Sequence, residues 1–159
     1  MKITRTGLLL LTLLSVSSLS WAGLKPGTRA PSFTLTRLDG PQLSLQDMTT
    51  RGHVMLVFWE TECVYCFMHI GELNQLHQRY HAKGLTIAAI DFLGEHEDAI
   101  RQYATNNQVQ YLMLTDRTKS IDVASDYQVI GSPTIVVIGP DGNILFYGHD
   151  VPDIGRWIK

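Results

Sequence analysis

His53-Val54-Met55-Leu56-Val57-Phe58-Trp59-Glu60-Thr61-Glu62-Cys63-Val64-Tyr65-Cys66 is the stretch whose reading decides the fold. Its first seven residues are mostly β-formers, apolar on both alternating faces, as expected of a central strand covered on two sides. After Cys63 the period changes. Apolar residues recur at Phe67, Ile70, Leu73 or Leu76, and Tyr80, a helical spacing that stops at Gly84 in a C-cap position. Two cysteines thus lie where a buried strand meets a helix N-terminus. The unpaired amides and dipole of a helix start favour an anion, so Cys63 is the thiol expected to ionise more readily and to attack. Cys66, one turn on, is close enough to bridge to it and to resolve a mixed disulfide.

Outward from this junction the chain alternates. Gly23 to Pro31 reads as an extended lead-in, and Phe33 to Thr36 as a short strand. The turn Asp39-Gly40-Pro41 makes a hairpin with Leu43 and Leu45. Downstream, strands are expected over Leu85 to Ile90 and Tyr111 to Leu114, with helices over Glu95 to Thr105 and Thr118 to Tyr127. Thr134 to Ile138 and Ile144 to Tyr147 flank Asp141-Gly142, a hairpin signal, and a last short helix falls near Ile154 to Lys159. The implied fold is α/β, two parallel crossovers closed by an antiparallel hairpin.

Composition narrows the classes. At 159 residues, 45% apolar and 18% charged, the chain suits one globular domain. A net charge of −2, with no long run of like charges, argues against nucleic acid as a partner. Residues 1–22 carry Lys2 and Arg5, an apolar run around Leu8 to Leu14 and small residues up to Ala22, the layout of a signal peptide. The apolar run is shorter than the roughly 20 residues that span a bilayer. Residues 23–159 then form the mature domain, with 11 basic and 15 acidic groups, in a compartment where disulfides persist.

Other readings of Cys63-Val64-Tyr65-Cys66 stay open at this level. Half a zinc site would need two further ligands, and no second cysteine pair or tight histidine pair follows. A purely structural bridge would close a short loop and stabilise weakly. His77 and His81 share a helix face but lack an evident third ligand, so they read as surface residues. Asp91 ends a strand at the edge where open α/β sheets bind ligands, or simply starts a loop.

Phe58 to Cys66 with Ser132-Pro133-Thr134, Gly27-x-x-Ala30-Pro31, Leu38-Asp39-Gly40 and Tyr127-Gln128-Val129-x-Gly131 resembles the thioredoxin superfamily. Within it, the chain resembles the exported TlpA/ResA/DsbE-like thiol-disulfide oxidoreductases, over nearly the whole mature chain. The resemblance implies a thioredoxin-like fold, a central mixed sheet flanked by helices with an N-terminal β-hairpin extension. It implies a cis Pro133 facing the two sulfurs, an extended protein substrate pairing beside Ser132, and no cofactor beyond the Cys63–Cys66 disulfide. It also implies a periplasmic reductant of protein disulfides, as in cytochrome c maturation, recharged by a membrane thiol-disulfide carrier.

Departures from the family pattern single out further residues. Val57 stands where relatives often carry Asp or Asn, so no buried carboxylate is available there to shuttle a proton. Glu60 and Glu62 precede Cys63, and negative charge there opposes the thiolate, unless both are merely solvated. His69 replaces a glutamate common in relatives and is a candidate proton carrier or a helix-side filler. Tyr65 shapes the rim, and Gly71 replaces a helix proline. A copper-handling module using the two cysteines with Met68 or His69 is the alternative function. The segment before Cys63 lacks the proline and threonine arrangement of peroxiredoxins.

Overall fold

The computed structural model describes residues 23–159; the expected signal peptide, residues 1–22, lies outside the described residues. Seven strands form one sheet: β1 (Thr34–Arg37), β2 (Gln42–Ser44), β3 (His53–Trp59), β4 (Leu85–Asp91), β5 (Leu112–Thr115), β6 (Thr134–Ile138) and β7 (Ile144–Gly148). Their order is β2-β1-β5-β4-β3-β6-β7. β3, β4 and β5 run parallel, while β6, β7, β1 and β2 are antiparallel to their neighbours. The sheet is therefore mixed, and the β1–β2 hairpin extends it beyond β5. This is a thioredoxin-like α/β fold.

β3 sits in the middle because its residues are apolar on both sides. Val54, Leu56 and Phe58 pack into one core with Leu35, Leu114, Val136 and Tyr127. Met55, Val57 and Trp59 pack into the other with Cys63, Cys66, Leu73, Ile87 and Ile135. Helix α2 (Val64–Tyr80) covers the second core and α3 (Glu97–Asn106) joins it through Ile100. α4 (Lys119–Asp126) covers the first through Val123 and Ala124.

Most expected elements are present with ends shifted by a residue or two. One is different: Leu45, assigned by its alternation to the hairpin, instead opens a short helix, α1 (Leu45–Thr49). The cause is a capping box. Ser44 Oγ accepts from Asp47 N at 3.1 Å and the Asp47 carboxylate accepts from Ser44 N at 3.0 Å, closing the first turn. At its far end α2 gives way to a 3₁₀ turn, His81–Lys83, and Gly84 takes φ +92°, the left-handed conformation expected of a C-cap glycine. Among the described residues no helix is long and apolar enough to cross a membrane.

Candidate active site

The parallel register of β3 and β4 brings Trp59 opposite Asp91, so the chain leaves β3 at the same edge as the loop after β4. There Cys63 is the N-cap of α2. Its Sγ accepts from Cys66 N at 3.0 Å, the geometry that places a sulfur on the unpaired amides of a helix start. Cys63 and Cys66 form a disulfide, Sγ–Sγ 2.08 Å with Cα atoms 5.2 Å apart. Both residues are buried, whereas Val64 and Tyr65 between them project into solvent.

The Cys63 loop is held from two directions. Glu95, in the loop between β4 and α3, accepts from Thr61 N at 2.9 Å through Oε2 and from Thr61 Oγ1 through Oε1. Glu95 is placed in turn by Asp91, which is fully buried and accepts from Glu95 N at 2.7 Å and Leu93 N at 3.2 Å. Asp91 is thus the organiser of a loop. Burial pushes its carboxyl above the usual range, and the nearby Glu95 charge adds to this, while the two amides oppose it.

Glu60 provides the second tie. Its Oε2 accepts from Glu62 N at 2.9 Å and its Oε1 from Ser132 Oγ at 3.2 Å. This carboxylate is half-buried and bridges the cysteine loop to the loop before β6, while Glu62 is exposed. Solvation, the plain alternative for both glutamates, therefore describes Glu62 alone. The Ser132–Pro133 peptide bond is cis. Thr134 Oγ1 donates to Gly131 O at 2.6 Å, and His149 Nδ1 donates to Pro133 O at 2.8 Å, since a carbonyl only accepts. These bonds shape the loop around Pro133, which lines one cavity with Cys66.

Beside Cys66 is a small, partly open cavity of about 10 Å³, lined in part by Val57, Trp59, Cys66, His69, Tyr103 and Pro133. The Trp59 indole N–H and the Tyr103 hydroxyl are buried without hydrogen-bond partners, and their rings pack at 4.6 Å between centroids. Burial pushes the Tyr103 hydroxyl above its usual pKa, with further upward pressure from the Glu60 and Glu95 charges. His69 joins this cavity from one side, while its Nδ1 lies 3.3 Å from Glu72 Oε2.

The residues singled out in the sequence for metal converge only in part, His69 sharing a cavity with Cys66. Among the described residues no group of three or more His, Cys, Asp or Glu is arranged to hold a metal ion, and Met68 is 68% exposed while Cys66 is buried. His77, read as a surface residue, is half-buried. Its ring lies 4.7 Å from that of His81 and its Nδ1 has no partner; burial, and then the neighbouring histidine, push it below its usual pKa. Glu95 and Tyr103 escaped the sequence reading. They are 34 and 42 positions from Thr61, and only the β3–β4 pairing brings their elements alongside the cysteine loop.

A family model described as the AhpC/TSA family matches residues 26–147. The chain belongs to the AhpC/TSA family. Relatives agree with that placement. Thioredoxin-like protein YneN of Bacillus subtilis is 32% identical over 124 residues, covering 77% of this chain and 70% of its own length. Thiol-disulfide oxidoreductase ResA of Bacillus thuringiensis subsp. konkukian is 31% identical over 119 residues, covering 75% of this chain. This chain spans 66% of that ResA's length. Among solved structures, the thioredoxin domain of a Bacteroides vulgatus thiol-disulfide oxidoreductase superposes with TM-score 0.72 at 24% identity, covering 80% of this chain and 91% of that one. At that identity it shows the fold. For this AhpC/TSA-family chain, a disulfide on a helix N-terminus, set against a cis-proline loop, has the geometry for thiol–disulfide exchange.

Proposed function

We propose that the protein is an exported thiol-disulfide oxidoreductase that reduces protein disulfides in the periplasm through Cys63 and Cys66. The observation that carries thiol–disulfide exchange is the position of the pair: Cys63 caps α2 and accepts the Cys66 amide, which in the reduced protein makes Cys63 the attacking thiolate. The reductant direction rests on the Glu60 and Glu62 charges beside it, which oppose that thiolate and so disfavour a strongly oxidising pair. That thiolate attacks one sulfur of a substrate disulfide and displaces the other as a thiolate. Cys66 then loses its proton and attacks Cys63 Sγ in the mixed disulfide, releasing the second substrate thiolate and closing the Cys63–Cys66 bond. Two electrons pass from the protein dithiol to the substrate, and no cofactor takes part.

Cys66 is buried, so its proton needs an acceptor within the protein. His69 is our assignment. It shares the cavity beside Cys66, and an Nδ1–H held toward Glu72 leaves Nε2 as the basic nitrogen. Ser132 and Pro133 offer backbone to an extended substrate, and Tyr65 forms the exposed rim. The further reading places the protein in cytochrome c maturation or a similar assembly step, recharged by a membrane thiol-disulfide carrier. Its support is the resemblance to the exported TlpA/ResA/DsbE-like proteins together with the signal-peptide-like residues 1–22.

The test is equilibration of the protein against glutathione, with free thiols trapped at each ratio. A reduction potential below about −230 mV, toward the roughly −270 mV of thioredoxin, supports a dedicated reductant. A value above about −180 mV overturns that direction of electron flow. Failure to form the intramolecular disulfide would overturn the oxidoreductase reading itself and favour a copper-binding role.

A further inference from the structure

The outward side of the first turn of α2 is apolar without interruption. Val64, Tyr65, Phe67 and Met68 are 69%, 68%, 57% and 68% exposed, whereas Cys66 points inward. On the loop that leads to Ser132, whose hydroxyl bonds Glu60 of the cysteine loop, Ile130 is 76% exposed. Isolated exposed apolar residues are ordinary, but this many on the two segments that flank one redox pair form a contact surface.

Charge is the second feature of this surface. Glu60 is fixed between the two loops by Ser132 Oγ and Glu62 N, with Glu62 exposed beside it. None of the ion pairs among the described residues involves Glu60, Glu62 or Glu95. Arginine and lysine pairs form elsewhere, at Arg101 with Asp39 and Glu97 and at Lys119 with Asp116. The site therefore presents carboxylate without an internal counter-charge, on a rim that is otherwise apolar.

We propose that Glu60 is a specificity-determining residue, and that this surface selects protein segments whose reactive cysteine is flanked by lysine or arginine within an apolar stretch. The inference rests on the oxidoreductase reading above. An extended segment beside Ser132 advances about 3.3 Å per residue, so the neighbours of its cysteine lie within a side chain's reach of the Glu60 carboxylate. A cation there meets an unneutralised carboxylate held in place by two hydrogen bonds, while an acidic neighbour is repelled. The apolar rim supplies contact area and the charge supplies discrimination.

The test uses reduced protein and three probes: hydroxyethyl disulfide, and two single-cysteine peptides of equal length, one with lysines and one with glutamates beside the cysteine. Each peptide is capped as a mixed disulfide with 5-thio-2-nitrobenzoate. The Cys63 thiolate attacks the peptide sulfur, a Cys63–peptide disulfide forms, and the coloured aromatic thiolate leaves, giving a rate. The expected result is that the lysine peptide reacts about tenfold faster than the glutamate peptide, with the ratio collapsing toward one at about 0.5 M salt. Within Glu60→Gln, whose amide oxygen can still accept from Ser132, the same ratio falls to about twofold or less.

No reaction with any probe would remove the oxidoreductase reading. Turnover of hydroxyethyl disulfide with no preference between the peptides would overturn the selectivity while leaving that reading intact. A preference that persists unchanged in Glu60→Gln would overturn the assignment to Glu60. The salt dependence of the unmodified protein keeps the inference testable if the variant fails to fold.

Discussion

Removing the Glu95 carboxylate should loosen the cysteine loop. Both of its oxygens are in use, Oε2 on Thr61 N at 2.9 Å and Oε1 on Thr61 Oγ1, and both are bonds to a charged acceptor. Each such bond is worth about 1.5–3 kcal/mol when buried. Thr61 and Glu95 are half-buried, so water replaces part of what is lost, and Glu95→Ala should cost about 2 kcal/mol in all. With a urea dependence of about 2 kcal/mol per molar, the unfolding midpoint drops by about 1 M. Glu95→Gln keeps a neutral acceptor and should lose about half as much. The assay is urea unfolding followed by tryptophan fluorescence, paired with hydrogen exchange at the Thr61 amide. Exchange separates local opening of the loop from global loss. Midpoints for Glu95→Ala and the unmodified protein within about 0.2 M of each other, with unchanged Thr61 protection, would refute the anchoring argument.

Three further outcomes follow from the same structure. Asp91 has a carboxyl raised above its unfolded value chiefly by burial; the folded state holds its proton longer, so this contribution to stability is present at low pH and is lost as pH rises through the raised pKa. Asp91→Asn should abolish that part of the pH slope in unfolding midpoints, and an identical slope in both proteins would remove Asp91 as its source. Tyr127 Oη donates to Pro31 O at 2.8 Å and its ring packs on Phe58 at 5.3 Å; Tyr127→Phe should cost about 1 kcal/mol in thermal or urea unfolding, the worth of one hydrogen bond with the ring kept. Leu73 is fully buried in the core beneath the cysteines, so Leu73→Ala should cost about 2–5 kcal/mol, measured by urea unfolding with the disulfide intact.

Much of the fold was legible because its signals are local. The two-faced apolar run His53–Trp59 reads as a central strand wherever it lies, and β3 occupies those residues. Gly84 marks the end of the α2 segment because few other residues adopt its φ of +92°. Leu45 misled because a period-2 pattern and the first turn of a helix cannot be told apart over three residues. Ser44-x-x-Asp47 was the available signal, a capping box with aspartate in place of glutamate. At the site, Cys63 and Cys66 stand out by spacing and position, while Glu60 was ambiguous, since nothing in its neighbours shows whether a charge faces water or a partner.

By itself the sequence determined the alternation of strands and helices, the placing of the cysteine pair on a helix N-terminus, and the resemblance that brought Ser132 and Pro133 into consideration. Each of these depends on residues a few positions apart, where periodicity and capping act. Only the tertiary structure decided that Glu60 reaches Ser132, 72 positions away, that Glu95 holds Thr61, 34 positions away, and that Tyr103 and His69 share the cavity beside Cys66. Those pairings follow from strand register and from which helix covers which face of the sheet. The burial that sets them is a sum over the whole core, so no segment carries it alone.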